Sequence, residues 1–157
     1  MAIDRKARLR FATAACAVFG VAIASWLAST RQVVAASGAR TMPVVRIYTG
    51  PDQRSHFEDV QVPLEDQGKV GFLSVVTKAT GVVFRETGGD YNYDFHVAPR
   101  RQYVVNLEGE VEIEVGDGAK RILRSGDILL AEDTSGQGHL SRSVAGKPRR
   151  SLFITLD

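Results

Sequence analysis

The chain is predicted to fold as an all-β domain, a sandwich, jelly roll or small barrel, preceded by one N-terminal hydrophobic helix. Three observations predict this. After residue 41 no window repeats apolar residues at helical spacing through three turns. Short apolar blocks or strict alternation recur instead, separated by glycine turns at intervals of roughly eight to twelve residues. Residues 11–30, FATAACAVFGVAIASWLAST, carry no charge, and a run of about 20 such residues is long enough to cross a bilayer as a helix.

Arg5, Lys6, Arg8 and Arg10 precede that run, and by the positive-inside bias they hold the N-terminus in the cytoplasm and send the rest outward. Val34 and Ala36 then stand where signal peptidase cleaves. Residues 1–41 are therefore expected to be a signal peptide or membrane anchor, with residues 42–157 exported or held facing outside the cytoplasm, touching the membrane only through the leader. The alternative is translation from Met42, which opens MPVVRIYTG like the start of a soluble protein and would leave it cytoplasmic. Cys16, the only cysteine, lies in the apolar run, so no intrachain disulfide can form; Thr13 ahead of it argues against a lipoprotein cysteine.

Of the 20 basic and 18 acidic residues, six basic residues and one acidic residue fall within positions 1–41, which leaves 14 and 17 in the remainder, a formal charge of −3. The basic character belongs to the leader. A mildly acidic domain lacks the clustered positive surface that a nucleic-acid backbone requires, so no nucleic-acid partner is expected.

Residues 44–48 read as a first strand, followed by the turn Thr49-Gly50-Pro51-Asp52. Strands are expected over 57–62, 70–77, 82–85 and 91–97, with Thr80-Gly81 and Gly88-Gly89-Asp90 as breaks. Pro99 cannot donate to a ladder and marks a strand end, so His96 and Gln102 should face each other across a corner. From Gln102 one face carries Gln102, Val104 and Asn106, and the other Tyr103, Val105 and Leu107. That split suits a polar, ligand-binding interior and an apolar outer face covered by another sheet or by a second subunit in a homodimer. Val111, Ile113 and Val115 alternate with Glu112 and Glu114, and Gly116-Asp117-Gly118 turns the strand back into 119–123 as a hairpin. Residues 128–131 and 151–156 complete the strands; Lys147-Pro148-Arg149-Arg150 reads as an exposed turn and His56 as a surface residue.

Three side chains able to ligate a metal or polarise a small molecule, His96, Gln102 and His139, converge if such strands roll up. Imidazole is the side chain suited to proton transfer near neutral pH, which makes His96 and His139 candidate catalytic groups. Glu132, in the run leading to His139, is the expected acid/base partner, ahead of its neighbour Asp133. Asn106, Arg85, Tyr91 and Arg142 are candidate ligand contacts, and Tyr93 lies beside them. Arg100 and Arg101 follow Pro99, and such a pair is either a two-pronged carboxylate clamp or a solvated turn.

On these residues the chain resembles the cupins, small single-domain members of the superfamily in particular. His96, Gln102 and Gly109 match the first cupin motif, with Ala98 where a second histidine is usual and Gln102 in place of a glutamate. Gly126, Gly136 and His139 match the second, with Glu132 in place of a proline and a somewhat longer loop. The resemblance covers residues 91–139, and the strand pattern extends it to 44–157. It implies a double-stranded β-helix, or jelly-roll, barrel. It also implies a divalent transition metal (iron, manganese, zinc or nickel) held by His96, Gln102 and His139. Cupins usually offer three histidines and a carboxylate, so this site holds a metal weakly or holds none. Because cupins include enzymes, sugar-binding modules and storage proteins, the resemblance speaks to fold more than to activity. The expectation is a protein acting on a polar metabolite in the barrel pocket; the alternatives are a metal-free binding module and a structural dimer.

Overall fold

A computed structural model describes residues 40–156; the leader, with the predicted hydrophobic helix and cleavage site, lies outside them. The chain divides into two units, 1–34 and 35–157, and only the second is described below. Among the described residues no helix is long and apolar enough to cross a membrane.

Among the described residues the unit is all-β, with eleven strands and one 3-10 turn at Gly68–Val70. The strands are β1 (Arg40–Thr49), β2 (Ser55–Asp66), β3 (Phe72–Leu73), β4 (Gly81–Thr87), β5 (Asn92–His96) and β6 (Gln102–Glu108). They continue with β7 (Val111–Glu114), β8 (Lys120–Leu123), β9 (Ile128–Glu132), β10 (His139–Ser143) and β11 (Arg149–Thr155). Seven form one sheet in the order β3-β2-β1-β9-β6-β11-β4, and four form a second, β5-β10-β7-β8. The larger sheet is mixed, because β1 runs parallel to β9 while its other pairings are antiparallel.

Alternation decides which side chains enter the core. Val111, Ile113 and Val115 are buried while Glu112 and Glu114 face outward, and Leu129 and Ala131 of β9 point inward in the same way. These residues join Ile47, Ala98, Val104 and Leu123 in one apolar cluster, against which Val45, Phe57 and Phe153 pack. The β7–β8 hairpin closes as predicted, with Gly118 N–H donating to the Val115 carbonyl.

Three expectations need correction. Residues 70–77 form no continuous strand: only Phe72–Leu73 pairs, with the end of β2, and Val75 and Val76 are exposed. An apolar run makes a strand only where a partner edge meets it, and β2 offers only Glu65 and Asp66 there. Secondly, β10 is a strand that the sequence hid, because HLSRS has almost no apolar signal. Its side chains divide between the interior and Arg142–Glu112 pairing outside. Finally, the basic cluster is not wholly an exposed turn: Arg149 begins β11 and is only 5 % exposed.

Candidate functional site

Between the two sheets lies a cavity of about 480 Å³, and the strands that meet there are β4, β5, β6, β7, β9, β10 and β11. Antiparallel pairing sets His139 opposite His96, and their ring centroids are 4.5 Å apart. The Tyr93 ring is also tilted against that of His96, with centroids 4.1 Å apart. Gly138 makes the close approach of β10 to β5 possible: its φ is +73°, and a Cβ there would collide with the carbonyl of His96.

The hydrogen bonds fix the state of both imidazoles. His96 Nδ1 lies 2.8 Å from the Asp94 carbonyl, which can only accept, so Nδ1 carries the proton and Nε2 keeps its lone pair. His139 Nδ1–H donates to Asp133 Oδ2 at 2.6 Å, which again leaves Nε2 available. Burial pulls the His96 pKa below its ordinary value; the Asp94 carbonyl and the Asp133 carboxylate oppose this, and the Arg85 charge adds to the lowering. His96 is therefore neutral at pH 7. Asp133 is 0 % exposed, and its Oδ1 has no hydrogen-bond partner among the described residues.

Gln102, at the start of β6, is buried and lines the same cavity. Its amide meets no hydrogen-bond partner among the described residues. His96, Gln102 and His139 thus line the same cavity, the two imidazoles from the four-stranded sheet and the amide from the seven-stranded one. No group of three or more His, Cys, Asp or Glu side chains among the described residues is arranged to hold a metal. The donor set is two imidazoles and a neutral amide, with the Asp133 carboxylate behind His139. Such a set suits a borderline divalent ion and supplies no direct negative charge to it.

The other predicted residues divide. Arg85 lines the cavity, its guanidinium 4.9 Å from the Tyr91 ring and 5.4 Å from that of Phe153. Tyr91 does not itself line the cavity but supports it, its hydroxyl 2.7 Å from Ser141 Oγ. Arg100 reaches the cavity, whereas Arg101 turns to Glu132 at 2.7 Å. Glu132 faces the opposite side of β9 and also pairs with Arg46 at 2.6 Å. Burial acts to raise the Glu132 pKa, but hydrogen bonds from Arg101 and Arg46 outweigh it and hold the carboxyl below its ordinary value. Asn106 is buried at a chain corner, donating to the carbonyls of Gly109 and Leu123. Arg142 lies outside, between Glu112 and Glu114. Glu132, Asn106 and Arg142 are thus not brought to the cavity.

Two residues in or behind the cavity wall were not foreseen. Asp133, not Glu132, is the carboxylate behind His139, and the signal was the two-residue period: Leu129, Ala131 and Asp133 share the inner side of β9 and its extension. Arg149 continues inward alternation back from Thr155, Phe153 and Ser151. Burial, and then the like charge of Arg85, pulls its guanidinium down to about 10, so it stays protonated at neutral pH.

No protein-family model matches the chain, and no curated protein is significantly similar to it. Among solved structures, a Neisseria meningitidis protein is 20% identical over 48% of this chain and 72% of its own, with a TM-score of 0.39. A Streptococcus pyogenes protein described as of unknown function is 17% identical over 54% of this chain and 69% of its own, at a TM-score of 0.41. A putative ethanolamine utilization protein from Salmonella typhimurium is 16% identical over 74% of this chain and 96% of its own, at a TM-score of 0.35.

Proposed function

We propose that this chain is a cupin-type, double-stranded β-helix protein that acts on or captures a small polar metabolite in the cavity between its sheets. The single observation that carries this is that His96, His139 and Gln102 line one cavity of roughly 480 Å³, the imidazoles from one sheet and the amide from the other, with neither imidazole Nε2 hydrogen-bonded among the described residues. A cleft of that size suits a small molecule, since such sites span about 300–1,000 Å³.

The same three residues would hold a divalent transition metal if one binds. There it would polarise a bound oxygen and offer a Lewis-acid centre. The protein's own part is separable from any metal. His139, oriented by Asp133, can accept a proton at Nε2, and the carboxylate stabilises the imidazolium that forms, while neutral His96 and the Gln102 amide orient a polar substrate. The same geometry without turnover is a binding module, and steady turnover of any bound metabolite separates the two.

A homodimer belongs to this proposal. Edge strand β4 leaves one side of its backbone unpaired and exposes Val82, Val83 and Phe84, the last at 81 %. Calorimetric titration with Zn²⁺ tests the site: about one equivalent should bind to the wild type, and His96→Ala and His139→Ala should each weaken binding at least about tenfold. Equal binding by all three proteins would remove the metal from the site. Unaltered ligand behaviour of both variants would remove the site itself.

A further inference from the structure

Two cations lining the cavity have no counter-charge among the described residues. Arg149 on β11 is only 5 % exposed and Arg85 on β4 is partly buried; both line the cavity. The register sets Arg85 opposite Ser151 and Arg149 opposite Thr87, so the two arginines are diagonal neighbours on one inward face. Their guanidiniums gather around one ring, that of Tyr91, at 4.9 Å for Arg85 and 5.9 Å for Arg149. Neither meets a carboxylate within ion-pairing distance among the described residues. The other arginines on this part of the fold are treated differently, since Arg142 is neutralised by Glu112 and Arg150 by Glu86.

A buried guanidinium beside a second one is unfavourable unless an anion joins them, because desolvation and like-charge repulsion act together. Cation–π contact with Tyr91 offsets only part of this. The depressed basicity of Arg149 is the same imbalance seen from the proton's side. The guanidinium fork suits a planar carboxylate, which can accept two parallel N–H bonds. Beside the arginines the wall is apolar, with Val83, Val104, Leu129 and Phe153, and so fits a hydrocarbon portion.

We infer that the metabolite is a small organic carboxylate, its charged group held between Arg85 and Arg149 and its carbon portion lying on the apolar wall that leads to His96 and His139. This rests on the proposed small-molecule function of the same cavity and names the substrate class. It also explains why the protein keeps two costly cations together: they are preorganised for an anion and are relieved when it binds.

The test is thermal unfolding of the wild type and of Arg149→Met, Arg149→Lys and Arg85→Met at fixed ionic strength. The probes are hexanoate, adipate and benzoate, with hexanamide and benzamide as neutral counterparts and inorganic phosphate as the bare anion. At least one carboxylate should raise the wild-type Tm by on the order of 5 °C at ten times its Kd, and its amide should not. Arg149→Met should raise the Tm of the ligand-free protein and weaken that carboxylate at least about tenfold. Arg149→Lys keeps the charge without the fork and should fall between; together with Arg85→Met it decides the matter if the methionine variant does not fold. The inference is overturned if no carboxylate raises the Tm, if amides or phosphate do as well, or if the arginine variants respond like the wild type. All three variants should keep Zn²⁺ binding, so a wild type that binds Zn²⁺ but responds to no carboxylate removes this inference and leaves the cavity function standing.

Discussion

At the scale of single residues, the chemistry depends on which nitrogen of each imidazole is committed to the protein. The buried Asp133 carboxylate holds His139 Nδ1, which leaves Nε2 as the nitrogen turned to other partners. Asp133→Asn keeps an acceptor but removes the charge. It should lower Zn²⁺ affinity about 10- to 100-fold with the fold intact, as read by calorimetry alongside circular dichroism. His56 offers a contrast on the surface, where it lies between Asp52 and Asp117. Its hydrogen bond with Asp52, and next that with Asp117, raises its pKa above the ordinary value. Folding therefore takes stability from the protonated form. That contribution is complete below the unfolded pKa, near 6.5, and is lost as pH rises through the higher folded value. The Tm difference between wild type and His56→Ala should thus shrink between mildly acidic and mildly alkaline pH; a difference that grows would refute the assignment.

Whole elements show where sequence patterns are sufficient and where they fail. Strands with a strict two-residue period, β6 and β7, were legible with their facing, because one side is apolar or amide and the other charged or exposed. Ile47, which is fully buried, shows how much such positions contribute: Ile47→Ala should cost about 2–5 kcal/mol in denaturant unfolding. Strand β10 was not legible, since its inward residues His139 and Ser141 are polar because they border a cavity. The same polarity hid Arg149, whose inward position follows only if alternation is carried back through Ser151 from Phe153 and Thr155. Glu132 draws attention ahead of Asp133 because it stands in the place of a cupin proline, whereas the two-residue period through Leu129 and Ala131 turns Asp133 inward. Gly138 holds β10 against β5. Gly138→Ala should cost about 1–2 kcal/mol for its left-handed backbone alone, more once the His96 carbonyl must move, and should weaken the site through its geometry.

For the molecule as a whole, the all-β class is legible from turn spacing and the lack of helical periodicity, which leave sandwich, jelly roll and small barrel open. The extent of sheet pairing was not, since a run such as residues 70–77 has strand composition but no edge to join. The exposed β4 edge belongs to this scale. Sedimentation of the wild type should give twice the chain mass, and Phe84→Asp should give a monomer; a monomeric wild type would rule the dimer out.

The convergence of His96 and His139 on one ligand-holding wall is tested most directly by the imidazole NMR signals of the three histidines on adding one equivalent of Co²⁺. The His96 and His139 signals should shift or broaden together while that of His56 stays sharp. Unchanged His96 and His139 signals, or a response confined to His56, would contradict the proposed site.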